Sequence, residues 1–170
     1  LEAQARGLGS GDDAWAWISP VHWEVGAQQI HMGDPQVLAL GEIESRALMA
    51  AMAVYFAEDG LELHYAEPHR WLCRGALFQG LPTAALDRAI GRDLQPLMPT
   101  VPGLRRLQNE MQMLLYTHAV NDSRAARGLA TINAFWISGT GTPGPVATNP
   151  PERMEHIGSL RKPALQDDAY

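Results

Sequence analysis

The sequence is poor in cysteine and lysine, and both shortages exclude classes of protein. Cys73 is the single cysteine of the chain, so neither an internal disulfide nor a cysteine-based metal cluster can form. A reducing compartment, and hence a cytoplasmic location, is the natural expectation. Lys162 is the single lysine among 13 basic residues, which face 19 acidic ones, and the net charge is −6. This balance argues against nonspecific binding of nucleic acid, which needs a positive surplus.

The sequence also lacks long hydrophobic runs and recognisable signals at its two ends. No apolar stretch approaches the roughly 18 residues that cross a bilayer, so no membrane partner is predicted. The chain starts at Leu1 and stops at Tyr170 without a capping signal, as we expect of a piece of a longer protein. With 46% hydrophobic and 19% charged residues, one compact domain is the default. We expect an N-terminal arm over 1–14, an α+β domain over 15–141, and a Pro/Gly-rich linker with a C-terminal segment over 142–170.

Hydrophobic periodicity predicts the fold class. Apolar and polar residues alternate over 21–25 and 61–65, as half-buried strands require, whereas residues 43–55 and 104–118 have helical spacing. Residues 13–17 are predicted to form a short helical turn. The resulting order is strand, helix, strand, strand, helix, strand. It predicts an α+β fold whose antiparallel sheet carries helices on one face, in a ferredoxin-like (split βαβ) order with extra short helices.

The densest polar block runs from Arg105 to Gly141 and begins on the second long helix. Three of its members, together with Tyr116, recur at helical spacing on one face of that helix, and two lie on the final predicted strand, residues 131–138. The candidate ligand-binding residues are Arg105, Asn109, Gln112, His118, Asn121, Arg124, Asn133 and Ser138. Two interpretations remain open. The block is either a polar network that fixes the corner between helix and strand, or a pocket for a small anion completed by the backbone of residues 139–141.

Metal ligands are not predicted from the residues themselves. His22 and Glu24 point to one side of their strand and His64 points similarly from another, but nothing fixes their separation. A zinc site needs about four convergent ligands, or three plus water. We therefore predict no metal and no cofactor for this chain taken alone.

Three segments carry a resemblance to a known family. They are Trp15–Gly26 (WAWISPVHWEVG), Thr83–Arg92 (TAALDRAIGR) and Leu104–Gly141, which begins LRRLQNEMQMLLYTHAVNDSR. They resemble bacterial cofactor-independent phosphoglycerate-mutase-like proteins or RpfE-type regulatory proteins. The resemblance implies a longer parent protein and phosphoryl transfer that uses a serine nucleophile and two metal ions, Mn or Mg, held by Asp and His. The chain shows no such ligand spacing.

Two functions follow from these observations. The first is a noncatalytic binding or regulatory domain, self-associating as a homo-oligomer, whose polar block recognises a small anionic ligand or a protein partner. The alternative is a phosphoglycerate-mutase-like phosphoryl-transfer enzyme, in which His118 is the acid or base and Arg105 and Arg124 hold the phosphate.

Overall fold

The computed structural model describes residues 6–7 and 12–142. Most of the predicted N-terminal arm, and the predicted linker after residue 142, lie outside these residues. The strands are β1 (Trp15–Val21), β2 (Trp23–Val25), β3 (Ile30–Met32), β4 (Glu62–Glu67), β5 (Arg70–Arg74) and β6 (Ala134–Gly141). The α-helices are α1 (Glu42–Glu58), α2 (Leu86–Ala89), α3 (Pro102–Tyr116) and α4 (Ala119–Ala126).

Four of the strands form one antiparallel sheet in the order β4, β5, β1, β6. Counted among these four alone, the order is second, third, first, fourth, which is the split βαβ arrangement that the sequence predicts. Strands β2 and β3 form a separate antiparallel hairpin. The α+β class and the antiparallel sheet packed against helices are thus confirmed.

Strand β1 corrects one prediction, because residues 15–17 are extended and not a helical turn. The strand lies in the middle of the sheet and is buried almost throughout, so its sequence lacks the alternation that marks a half-buried strand. Pro20 is tolerated at this central position because β1 pairs with β5 only as far as Ile18 and from there onward with β6 alone.

Helices α1 and α3 pack on one face of the sheet. Proline in the first turn of α3 fits a position whose N–H has no helical partner, and Gly60, with a φ of 73°, follows the end of α1 in the left-handed region. The two helices and the sheet enclose the main core, which includes Leu48, Phe56, Leu107, Met111, Trp71 and Phe135. None of the helices in residues 12–142 is both long enough and apolar enough to cross a membrane.

A second core on the opposite face holds the β2–β3 hairpin and short α2 against the sheet. It contains Val21, Trp23, Met32, Ala89, Leu94 and Trp136. Trp136 donates its indole N–H to the carbonyl of Ala84 at 3.1 Å. The chain after α2 runs beside β3, where the Leu94 amide donates to the carbonyl of Ile30 at 2.8 Å. This pairing positions residues 95–100 opposite the first turns of α3.

Candidate functional site

Six of the eight predicted site residues fall into two groups, which differ in how their polar atoms are bonded. The first group joins α3, α4 and β6, and we call it the corner network: Asn121, Arg124 and Asn133, with Glu44 of α1. The second group lies along the exposed side of α3. The structure does not bring all eight residues to one concavity.

Asn121 is 5% exposed and its carboxamide is fully bonded to the backbone. The amide nitrogen donates to the carbonyls of Leu115 at 2.8 Å and Ile132 at 2.7 Å. The oxygen accepts from the amide of Ile132 at 2.8 Å. This side chain therefore ties the end of α3 to the chain entering β6, and no polar atom of it is left for a ligand.

Arg124 is completely buried and bonds to three separate segments. Its Nε donates to the carbonyl of Ala130 at 2.8 Å, one terminal nitrogen to a carboxylate oxygen of Glu44 at 2.7 Å, and the other to the carbonyl of Leu38 at 2.5 Å. The exposed Arg127 donates to the second carboxylate oxygen of Glu44. The Arg124 guanidinium is thus occupied by internal contacts.

Glu44 is the acidic centre of the corner network. Burial on its own raises the pKa of this carboxyl, but the hydrogen bond from Arg127 and the charge of Arg124 outweigh it, so the pKa lies below the ordinary 4.5. The amide of Gly41 at the start of α1 adds to the lowering. The carboxylate is consequently ionised in the folded protein at neutral pH.

Asn133, His118 and Ser138 also have architectural positions. The Asn133 carboxamide accepts from the Trp23 amide at 2.7 Å and donates to the Trp23 carbonyl at 2.9 Å, as a neighbouring strand would. His118 caps α4, its Nδ1 accepting from the Val120 amide at 3.1 Å. Ser138 is 8% exposed on the sheet face opposite α1 and α3, since the adjacent Ile137 belongs to the main core.

The second group lines a cleft at the start of α3, which we call the α3 cleft. Arg105, Gln108 and Asn109 form one wall, and its volume is about 510 Å³. Ile30 of β3 and residues 95–100 contribute the remainder. Asn109 also borders an adjoining hollow that contains Gln112 and Tyr116, so the predicted polar face of this helix is present.

Arg105 is exposed at the cleft, and no carboxylate of residues 12–142 lies within ion-pair distance of it. Its neighbour Arg106, by contrast, is paired with Asp59. Arg105 also lies in the first turn of α3, where the helix dipole adds positive potential and where the Leu104 and Arg105 amides donate to the Val101 carbonyl, so that the Gly103 amide is the one in this turn without a helical partner. Both effects favour an anion at this end of the cleft.

Gln108 is the functional candidate that the sequence-based prediction did not select. The residue is 3% exposed, and both its amide nitrogen and its oxygen are buried without a hydrogen-bond partner among residues 12–142. An unsatisfied buried amide costs about 1 to 3 kcal/mol. A sequence signal did exist, because Gln108 interrupts the apolar stripe formed by Leu104, Leu107, Met111 and Leu115.

His118 and Arg105, which the phosphoryl-transfer alternative brings together, lie far apart. His118 lies beyond the end of α3 and Arg105 near its start, and a separation of 13 residues at 1.5 Å per residue is about 20 Å along the helix axis. Within the described part of the chain, no three His, Cys, Asp or Glu side chains are placed to hold a metal ion. Cys73 is buried, which raises the pKa of its thiol and keeps it unreactive.

Comparison with known proteins identifies a fold. No family model matches the sequence, and no curated protein is significantly similar to it. A solved structure of the cofactor-independent phosphoglycerate mutase from Thermoplasma acidophilum DSM 1728 superimposes on 83% of this chain with a TM-score of 0.58 and 16% identity. The two proteins share a fold. The superposition covers 40% of the mutase chain, so this chain has the fold of a part of that enzyme.

Proposed function

We propose that this chain is a noncatalytic binding or regulatory domain that takes a small anionic ligand in the α3 cleft. One observation carries the proposal: the α3 cleft is lined both by Arg105, which has no ion-pair partner among residues 12–142, and by Gln108, whose buried carboxamide has no hydrogen-bond partner among the same residues. Groups of this kind are costly in the free protein, and a ligand can satisfy them.

The charge and size of the cleft agree with such a ligand. Arg105 offers a planar fork suited to carboxylate or phosphate, and the dipole of α3 adds to its field. A volume of about 510 Å³ suits a metabolite and lies within the range of small-molecule pockets. Asn109 and Thr100 supply further polar groups at the rim.

Membership of the mutase-like or RpfE-type family is part of this proposal. It is supported by the fold shared with the Thermoplasma mutase and by the segments quoted above. Because that neighbour is named for phosphoglycerate, 3-phosphoglycerate is the first ligand to test. Turnover is not expected, since His118 and Arg124 are used for capping and internal pairing.

The test is thermal stabilisation of the 170-residue chain by 3-phosphoglycerate, inorganic phosphate and citrate. A ligand at 100 times its Kd stabilises a protein by about 2.7 kcal/mol, which is a rise of several degrees in Tm. We expect Arg105→Ala to lose this rise. The matched control Arg92→Ala removes an exposed arginine outside the cleft and should keep it.

The outcome decides between the two functions. Absence of any stabilisation, or an equal rise in the Arg105→Ala variant, contradicts the proposal. Isomerisation of phosphoglycerate in the presence of manganese or magnesium, lost on His118→Ala, would instead establish the phosphoryl-transfer alternative.

A further inference from the structure

The α3 cleft also restricts the chemistry of the neutral part of its ligand. Gln108 presents one amide nitrogen, which donates, and one amide oxygen, which accepts, and neither has a partner among residues 12–142. Both atoms are buried away from bulk solvent. A bare anion could accept from the nitrogen and would leave the oxygen unpaired.

The neighbouring residues restrict the geometry further. Arg105 and Gln108 are three residues apart on α3, so their Cβ atoms are separated by about 5 to 6 Å. One compact molecule can therefore reach both side chains. Because both carboxamide atoms of Gln108 are buried in the free protein, ligand binding requires a rearrangement of the cleft lining, which includes the flexible Met98.

We propose that the ligand carries an amide edge, meaning an N–H beside a carbonyl oxygen, close to its anionic group. The edge pairs with both atoms of the Gln108 carboxamide while the anion pairs with Arg105. Primary carboxamides and the imide edge of a pyrimidine base share this chemistry. This inference rests on the proposed function, because it assigns a second part of the same ligand.

The experiment is calorimetric titration of the 170-residue chain with two matched pairs of compounds. Uridine 5′-monophosphate is compared with 3-methyluridine 5′-monophosphate, which has lost the base N–H. Succinamate is compared with monomethyl succinate, which keeps the charge and an acceptor but has no N–H. We expect the amide-bearing member of one pair to bind about 10-fold tighter or more, since a site built for a hydrogen bond rejects analogues that lack it.

Two substitutions assign the preference to its residue. Gln108→Leu should make the two members of the preferred pair bind equally, whereas Gln79→Leu, at an exposed glutamine outside the cleft, should keep the preference. Whichever pair shows the preference identifies the source of the amide edge.

The possible failures are distinguishable. If binding depends on Arg105 but is equal within both pairs, or if the preference survives Gln108→Leu, this inference is wrong and the anion site remains. If none of the four compounds binds but 3-phosphoglycerate, inorganic phosphate or citrate binds in an Arg105-dependent way, this inference is wrong and the anion site remains. If none of these seven molecules binds in that way, the proposed function fails and this inference fails with it.

Discussion

The corner network and the α3 cleft contain the same kinds of side chain in opposite states. In the corner network, Asn121 and Arg124 are buried with every polar group bonded within the protein. In the cleft, the Gln108 amide has no partner, and Arg105 has no carboxylate beside it among residues 12–142. The difference separates polar residues whose groups are bonded within the protein from polar residues whose groups have no partner among residues 12–142.

The largest effect is expected from Arg124→Leu. This change removes the donor to one carboxylate oxygen of Glu44 and to the carbonyls of Leu38 and Ala130. The free energy of unfolding should therefore fall by about 3 to 5 kcal/mol. Urea unfolding measures it. Arg127→Ala, which removes the exposed partner of the same carboxylate, should cost less than about 1 kcal/mol. Equal losses of stability in both variants would show that the buried Arg124 contributes no more than the exposed Arg127.

A smaller loss is expected from Asn121→Ala. Three hydrogen bonds to the backbone disappear, and the buried amide and carbonyl of Ile132 lose their partner. The free energy of unfolding should therefore fall by about 2 to 3 kcal/mol. Asn109→Ala, at the exposed rim of the cleft, should stay within about 0.5 kcal/mol of the wild type. Thermal unfolding of both variants tests whether the two asparagines differ as their burial indicates.

Gln108→Leu is expected to stabilise the protein, whereas the two substitutions in the corner network destabilise it. Replacing an unsatisfied amide by an apolar group of similar size should stabilise the free protein by about 1 kcal/mol. The measurement is the unfolding midpoint in urea without ligand. A destabilisation of more than about 1 kcal/mol would show that Gln108 is a structural residue like those of the corner network.

The smallest effect on stability is expected from a change in pH. The lowered pKa of Glu44 means that its ionised form contributes stability above about pH 4.5, and this contribution is lost as the pH falls through the folded-state pKa. Burial lowers the pKa of His69 below the ordinary 6.5. The folded protein therefore loses stability as the pH falls from that value, because the unfolded chain binds the proton more readily. Urea unfolding across the acid range should show a weaker dependence below pH 4.5 in Glu44→Gln. Glu42→Gln, at an exposed carboxylate of the same helix, is the control.

Much of the fold follows from local patterns in the sequence. The apolar stripe of α3, the acidic first turn of α1 and the alternation in β4 each predict their element. Strand β1 escaped prediction because burial on both faces removes the alternation on which strand prediction depends.

The site was only partly predictable, for a different physical reason. The helical spacing of Arg105 and Asn109 is local, and both residues line the cleft. The partner of Arg124 is Glu44, 80 positions earlier, and no local pattern reveals such a pairing. Composition alone therefore could not tell an arginine that belongs to the corner network from one that lines the α3 cleft.

The bonds of Arg124 have a consequence for the lifetime of the folded state. Two of them join positions 80 and 86 residues apart, so they close long loops and are expected to form late in folding, after the helices and the β4–β5 hairpin. Contacts absent from the transition state act on the unfolding rate and hardly on the folding rate. We therefore expect the bonds from Arg124 to Glu44 and Leu38 to slow unfolding and to leave the folding rate almost unchanged.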